Sequence, residues 1–122
     1  MHVWLQSADF STRDFEASVD EAIEAFSSHD WAREAALAKR LESEGNEACE
    51  AGLGLVRADD EFLHICPQGG AATVHWHRRV RVLGFLWTRQ QMDTWEGVPL
   101  STIREVIRHY HDGNDAEMER LL

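Results

Sequence analysis

A pair of glycines, Gly69-Gly70, joins two runs of β-type residues and constrains the fold of this chain more than any other feature. Two such runs separated by two glycines are typical of a β-hairpin, and the length of the turn fixes the register of the strands. The pairs predicted from this register are Gln68 with Ala71, Cys66 with Thr73, His64 with His75, and Phe62 with His77. One local pairing is therefore predicted residue by residue.

The predicted register sorts the side chains of the hairpin into two faces, because successive side chains of a strand alternate. An apolar face, expected in the core, carries Leu63, Ile65, Val74 and Trp76. The other face carries imidazole, thiol and hydroxyl groups, from His64, Cys66, Thr73, His75 and His77. This second face is the first candidate for a functional surface.

Imidazole and thiol groups are ligands that zinc and similar metals accept. Opposed residues of a hairpin lie about 5 Å apart and residues i and i+2 about 7 Å apart, so several of these side chains can converge on one ion. The candidate metal ligands are His64, Cys66, His75 and His77. Residues 62–92 include no carboxylate to orient a histidine or to act as a base. The lack of such a carboxylate argues against a metal site and favours a face that is plain or that contacts a partner.

Upstream of the hairpin, the apolar pattern predicts a short strand at residues 2–6 and then two helices. The first helix is predicted to begin at Ser11 or Thr12, and its apolar stripe is Phe15, Val19, Ala22, Ile23 and Phe26. The second is predicted from Trp31 to about Leu41, with Ser28 or Asp30 as its cap.

From residue 51 the period of the apolar residues changes to that of strands. Strands are predicted at 53–57, at 62–66, over AATVHWH, and in the run VRVLGFLWT (80–88), where Gly84 predicts a bulge or bend. A helix capped by Ser101 or Thr102 carries Ile103, Val106, Ile107 and Tyr110 and ends at Gly113, and a last short helix follows from Asp115. The predicted fold is a single α+β domain over residues 1–122. In it, an antiparallel β-meander of three to five strands is packed on one side by N-terminal helices and an amphipathic C-terminal helix.

The formal charge of the 122-residue chain is −10, and it is unevenly distributed. Residues 14–61 hold fourteen acidic residues against four basic ones, whereas 62–92 hold four arginines and no acid. This balance disfavours nucleic-acid binding and favours a basic partner. The N-terminus lacks a secretory pattern and no segment is apolar enough to span a membrane. We therefore expect a soluble cytoplasmic protein with free thiols at Cys49 and Cys66.

With these elements in order, the segments FLHICPQGGAATVHW and VPLSTIREVIRHY resemble the small acidic immunity proteins of bacterial polymorphic and contact-dependent toxin systems. The resemblance implies a cytoplasmic inhibitor that binds a cognate toxin domain and blocks its active site or substrate path. It implies no catalytic residues and no cofactor.

The predicted function is a non-enzymatic binding protein that neutralises a basic toxin through acidic and aromatic contacts. The candidate contact residues are Asp59, Asp60, Glu61, His64, His75, His77, Asp93, Trp95 and Glu96. Trp95, which lies between acidic residues, is expected to be exposed. One alternative is a small zinc-dependent enzyme or metal-binding protein that uses His64, Cys66, His75 and His77. Another is a homo-oligomeric adaptor that associates through the sheet face.

Overall fold

The computed structural model describes residues 1–84 and 87–122, which form an α+β arrangement of six antiparallel strands and four helices. In chain order the elements are β1 (His2–Gln6), β2 (Thr12–Glu16), α1 (Val19–Ser28), α2 (Trp31–Ser43), β3 (Gly52–Ala58), β4 (Glu61–Gln68), β5 (Ala71–Val82), β6 (Trp87–Pro99), α3 (Leu100–Asp112) and α4 (Asp115–Leu121). The strands lie side by side in the order β2-β1-β3-β4-β5-β6. The α+β class is thus confirmed, whereas the expected three to five strands are too few.

The β4–β5 hairpin has the predicted register at every pair. His64 faces His75, Phe62 faces His77, and the two strands meet at the Gly69-Gly70 turn. The four side chains expected in the core are at most 1% exposed: Leu63, Ile65, Val74 and Trp76. Turn length and the alternation of side chains were therefore sufficient to fix this part of the sheet.

The extra strand near the N-terminus is β2, which occupies residues predicted to begin the first helix. Phe15 pairs with Val3 of β1 instead of lying on a helix. The helix begins only at Val19, because Ser18 and Glu21 form a capping box in which the Ser18 hydroxyl accepts from the Glu21 N–H at 3.1 Å. The predicted caps Ser11 and Thr12 are therefore wrong.

The core lies between one face of the sheet and the helices α1 and α3. These helices contribute Ala22, Ile23, Phe26, Ile103, Val106, Ile107 and Tyr110, all buried. By contrast, α2 buries no residue, so the expectation that three main helices cover this face holds for only two of them. Helix α2 is connected instead to the segment that follows β1, through hydrogen bonds of Glu34. The Glu34 carboxylate accepts from the Ser7 hydroxyl at 2.8 Å and the Ala8 N–H at 2.9 Å.

The C-terminal helices follow the predicted pattern except at one cap. Helix α3 begins at Leu100 directly after Pro99, so the predicted caps Ser101 and Thr102 lie inside its first turn. Gly113, with φ 76°, ends the helix in the left-handed conformation that glycine adopts readily. In the described part of the chain no helix combines the length and apolar character needed to cross a membrane.

Strands β5 and β6 extend beyond the end of β4 as a two-stranded arm, which we define as residues 78–82 and 87–91. The pairing of β5 with β4 ends at His77, whereas its pairing with β6 continues to Val82 and Trp87. Gly84, with φ 71°, lies in the turn after Val82 and not at a bulge within a strand. Phe85 and Leu86 of the predicted apolar run lie outside the described residues.

Candidate functional site

The face of the sheet opposite the helices forms one continuous surface, which we call the open face. Two rows of paired residues cross it, and the side chains that define it are Trp4, Phe62, His64, His75, His77, Met92 and Thr94. All seven are half-buried or exposed. The described helices bury their apolar residues on the other face, and the seven side chains of the open face keep contact with solvent.

Two glycines of β3 leave room for the rings of Trp4 and His64 to lie directly over the strand. A Cβ atom at Gly54 would lie 1.8 Å from Cε2 of Trp4, and one at Gly52 would lie 2.5 Å from Nε2 of His64. The two rings occupy the space that these side chains would fill, and their centroids are 4.6 Å apart. The glycines therefore allow the two rings to pack directly over β3, where an added side chain would displace them.

Two imidazoles of the open face are held in an environment that disfavours their charged form. Burial, together with the neighbouring His75, lowers the pKa of His64 to about 4. Partial burial and His75 likewise lower the pKa of His77, whose ring stacks on Phe62 with centroids 4.3 Å apart. Near pH 7 both rings are neutral and behave as part of the aromatic surface.

A cluster of three potential metal ligands lies at one end of the open face. Glu50, Cys66 and His75 each place a donor atom within 4.8 Å of the other two. The Nε2 atom of His75 lies 3.1 Å from Oε2 of Glu50, and its Nδ1 atom lies 3.0 Å from the hydroxyl of Thr94. Glu50 belongs to the segment that precedes β3, so it supplies the carboxylate that the hairpin itself lacks.

The protonation of the cluster follows from its burial and its charges. Partial burial opposes ionisation of Glu50, but hydrogen bonds from His75 and Cys66 outweigh it and lower the pKa of the carboxyl group. Burial, with the carboxylate of Glu50 beside it, raises the pKa of the Cys66 thiol far above its ordinary value. A protonated thiol is a poor nucleophile, so the arrangement does not favour covalent catalysis by Cys66.

The structure brings together only part of the predicted metal set. His64 lies against Cys66, with its ring nitrogens 3.4 and 3.5 Å from Sγ. The Phe62–His77 pair lies four residue pairs along the ladder from the Cys66–Thr73 pair, about 13 Å along the strands, and the His77 ring is stacked on Phe62. Of the four predicted ligands, only Cys66 and His75 belong to the cluster, and Glu50 supplies its third donor.

The predicted acidic contact residues form ion pairs within the chain or lie in a turn. Asp60 accepts from Arg79 at 2.7 Å, and Asp93 accepts from Arg78 at 2.9 Å. Asp59 is exposed in the turn between β3 and β4. Glu61, at the start of β4, pairs with Arg57.

Trp95 and Glu96 are adjacent in β6 but differ in environment. Trp95 lies opposite Val74 on the core face and packs, half-buried, against the core. The expectation that Trp95 is exposed is therefore wrong, because the alternation of β6 turns its ring towards the helices. Glu96 is exposed and, with Thr94 and His75, borders a depression of about 350 Å³ beside Glu50.

Acidic side chains border the open face at both ends of its central row. In β2, Asp14 faces Trp4 and Glu16 faces His2, and both carboxylates contact the His2 ring, at 3.0 and 3.3 Å. Glu50 and Glu96 lie beyond His75 on the other side. We call Asp14, Glu16, Glu50 and Glu96 the acidic rim. The β2 members were missed from the sequence, because residues 12–16 were expected to be helical.

Comparisons with models of protein families, with curated proteins and with solved structures find no match to this chain. The geometry of the open face and its acidic rim therefore supplies the structural support for a function.

Proposed function

We propose that this protein is a non-enzymatic binding protein, an immunity protein that neutralises a cognate toxin by direct binding, and that the open face is its contact surface. The observation that carries the proposal is an accessible aromatic and imidazole surface with acidic side chains at two of its ends.

The centre of the open face has the composition of a protein-binding hot spot. Hot spots are rich in aromatic side chains that are half-buried before binding and lose their remaining contact with water in the complex. Trp4 and Phe62 pack edge to face with centroids 5.9 Å apart, and Phe62 continues into the stacked ring of His77. These contacts hold the rings in place, so little side-chain entropy is lost when a partner covers them.

The acidic rim and the overall charge of −10 favour a basic partner. Rim charges act mainly on the rate of association, because they steer an oppositely charged protein towards the face before contact is made. Such steering weakens as salt is added, since exposed charges are screened beyond about 10 Å at 0.1 M salt.

The toxin-neutralising role rests on the resemblance to small acidic immunity proteins. The segment FLHICPQGGAATVHW forms most of the β4–β5 hairpin, which contributes His64 and His75 to the open face. An inhibitor that acts by covering a toxin needs a surface of this kind and needs no catalytic group.

The direct test is co-expression with the product of a toxin-sized open reading frame immediately upstream of the gene. We expect the pair to co-purify at low salt, and this chain to restore growth to cells that produce the toxin. If the two proteins do not co-purify at low salt and growth is not restored, the proposal is overturned.

Variants locate the contact surface. Trp4→Ala is expected to weaken toxin binding by about 30-fold or more, the equivalent of a hot-spot loss of about 2 kcal/mol. The matched control is Trp87→Ala, since Trp87 lies in the arm and is 52% exposed. Circular dichroism and thermal unfolding establish that both variants are folded. Equal binding by the two variants would exclude the open face as the contact surface.

A further inference from the structure

We propose that Glu50, Cys66 and His75 form a binding site for a single zinc-like divalent ion at the end of the open face. The site is independent of the proposed toxin partner, because its three ligands all come from this chain.

The spacing of the donor atoms is close to that of a tetrahedral metal site. Zinc binds nitrogen and oxygen at about 2.0–2.2 Å and sulfur at about 2.3 Å, so two ligands on one ion lie roughly 3.3–3.6 Å apart. The Nε2 atom of His75 and Oε2 of Glu50 are 3.1 Å apart. The sulfur of Cys66 is within 4.8 Å of both donor groups, which leaves only a small inward movement for coordination.

Two of the three ligands are positioned by the sheet itself. Cys66 and His75 lie on adjacent strands, and their places are fixed by the hairpin register. Glu50 is exposed and comes from the segment before β3, so it is the ligand that can adjust to the ion.

His75 also has the hydrogen bond that a metal-bound histidine requires. Its Nδ1 atom is 3.0 Å from the Thr94 hydroxyl, which leaves Nε2 to face Glu50. A partner on the second ring nitrogen fixes the orientation of the ring and the tautomer that binds metal. Thr94 is therefore a positioning residue for the site.

The chemistry of the three donors selects the kind of ion. A thiolate, an imidazole and a carboxylate together favour zinc or another borderline transition metal over magnesium or calcium, which prefer oxygen ligands. Cys66 binds as the thiolate and releases its proton to solvent when the ion enters. The depression beside Glu50 and His75 gives solvent or a partner side chain access to a fourth position.

Metal titration of the full chain, purified without a polyhistidine tag and treated with a chelator, tests the site. We expect calorimetry to show one zinc ion per chain. With cobalt in place of zinc, we expect thiolate-to-cobalt charge-transfer absorption. Cys66→Ser removes this absorption while the fold is retained, and His75→Ala and Glu50→Gln each weaken zinc binding at least about tenfold.

Matched controls use the same residue types outside the cluster. Cys49→Ser replaces a thiol that donates to the Ser7 carbonyl at 3.0 Å, and His77→Ala replaces the imidazole stacked on Phe62. Both are expected to bind zinc as the unaltered chain does. Thr94→Val is expected to weaken zinc binding by about 10- to 100-fold with unchanged stoichiometry.

The absence of cobalt charge-transfer absorption would overturn the proposal. Equal loss of zinc binding in His77→Ala and His75→Ala would also overturn it, since any surface imidazole would then suffice. Neither measurement involves a toxin, so failure of the metal site and failure of the proposed function are distinguishable.

Discussion

Replacement of Gly54 by alanine is expected to destabilise the protein because of a single steric conflict. The new Cβ atom would lie 1.8 Å from Cε2 and 2.2 Å from Cζ2 of Trp4, so the indole ring must leave its position on the sheet. Overpacking of this kind costs about 1–3 kcal/mol. Alanine recovers about 0.5–1 kcal/mol in a strand, because it loses less backbone entropy than glycine on folding. The expected net loss is about 1–2 kcal/mol of the free energy of unfolding.

Urea denaturation of four proteins measures this conflict: the unaltered chain, Gly54→Ala, Trp4→Ala and the double variant. Without the indole, Gly54→Ala should be neutral or should stabilise by up to about 1 kcal/mol. Gly70→Ala is the matched control, since its Cβ atom would have no neighbour within 4 Å, and it should change stability by less than about 0.5 kcal/mol.

The dependence of the Gly54→Ala effect on the presence of Trp4 decides whether the steric conflict exists. If Gly54→Ala cost the same free energy with and without the indole, the ring would not lie over Gly54. The packing of the Trp4 indole over β3 would then be refuted.

Three further substitutions test other contacts. The Glu34 carboxyl pKa is lowered in the folded state, because hydrogen bonds from Ala8 and Ser7 outweigh the effect of burial. Its stabilising contribution is therefore present above the ordinary pKa of 4.5 and is lost as the pH falls through the folded value. Glu34→Gln should accordingly be less stable than the unaltered chain in urea at pH 7, and the difference in stability should shrink as the pH falls below 4.5; a difference that does not shrink would contradict this. Arg57→Met removes a guanidinium that donates to Asp115 at 2.7 Å, and it should lower the free energy of unfolding by about 2 kcal/mol; a thermal melt that is unaltered would disprove the role of that contact. Trp95→Ala should cost about 2 kcal/mol in stability while changing toxin binding less than Trp4→Ala does, and the reverse order would make Trp95 a contact residue.

The sequence was sufficient to predict the structure in segments where a rule between neighbouring residues determines it. The Gly69-Gly70 turn fixes the pairing of its two strands, and strict alternation then assigns every side chain of β4 to a face. The stripe of α3 was equally clear, because Ile103, Val106 and Ile107 repeat at the helical period.

Elements at the sheet edges were harder to predict because neither of their faces is fully buried. In β6, half-buried residues such as Asp93 and Trp95 alternate with exposed residues on the open face, so no run of apolar residues marks the strand. In β2, Phe15 is the only apolar residue and the only one that is partly buried, and one apolar residue agrees with either a helix or a strand. The edge position of β2 thus hid one strand of the sheet together with Asp14 and Glu16 of the acidic rim.

The candidate metal cluster depended on a contact that no local pattern specifies. Glu50 precedes Cys66 by a full strand and a turn, and only the pairing of β3 with β4 returns the chain to the end of the hairpin. Residues 62–92 contain no carboxylate, and the tertiary fold brings one to the hairpin from outside this range.

The arm formed by residues 78–82 and 87–91 gives β5 two different rates of local opening. Residues 71–77 are hydrogen-bonded on both sides, by β4 and β6, and opening there disturbs the core. Beyond His77 the strand is paired only with β6, so a break in one ladder is enough to expose its amides to solvent. Amide hydrogen exchange along β5 should therefore change abruptly after His77, because the arm can open while the rest of the strand stays closed.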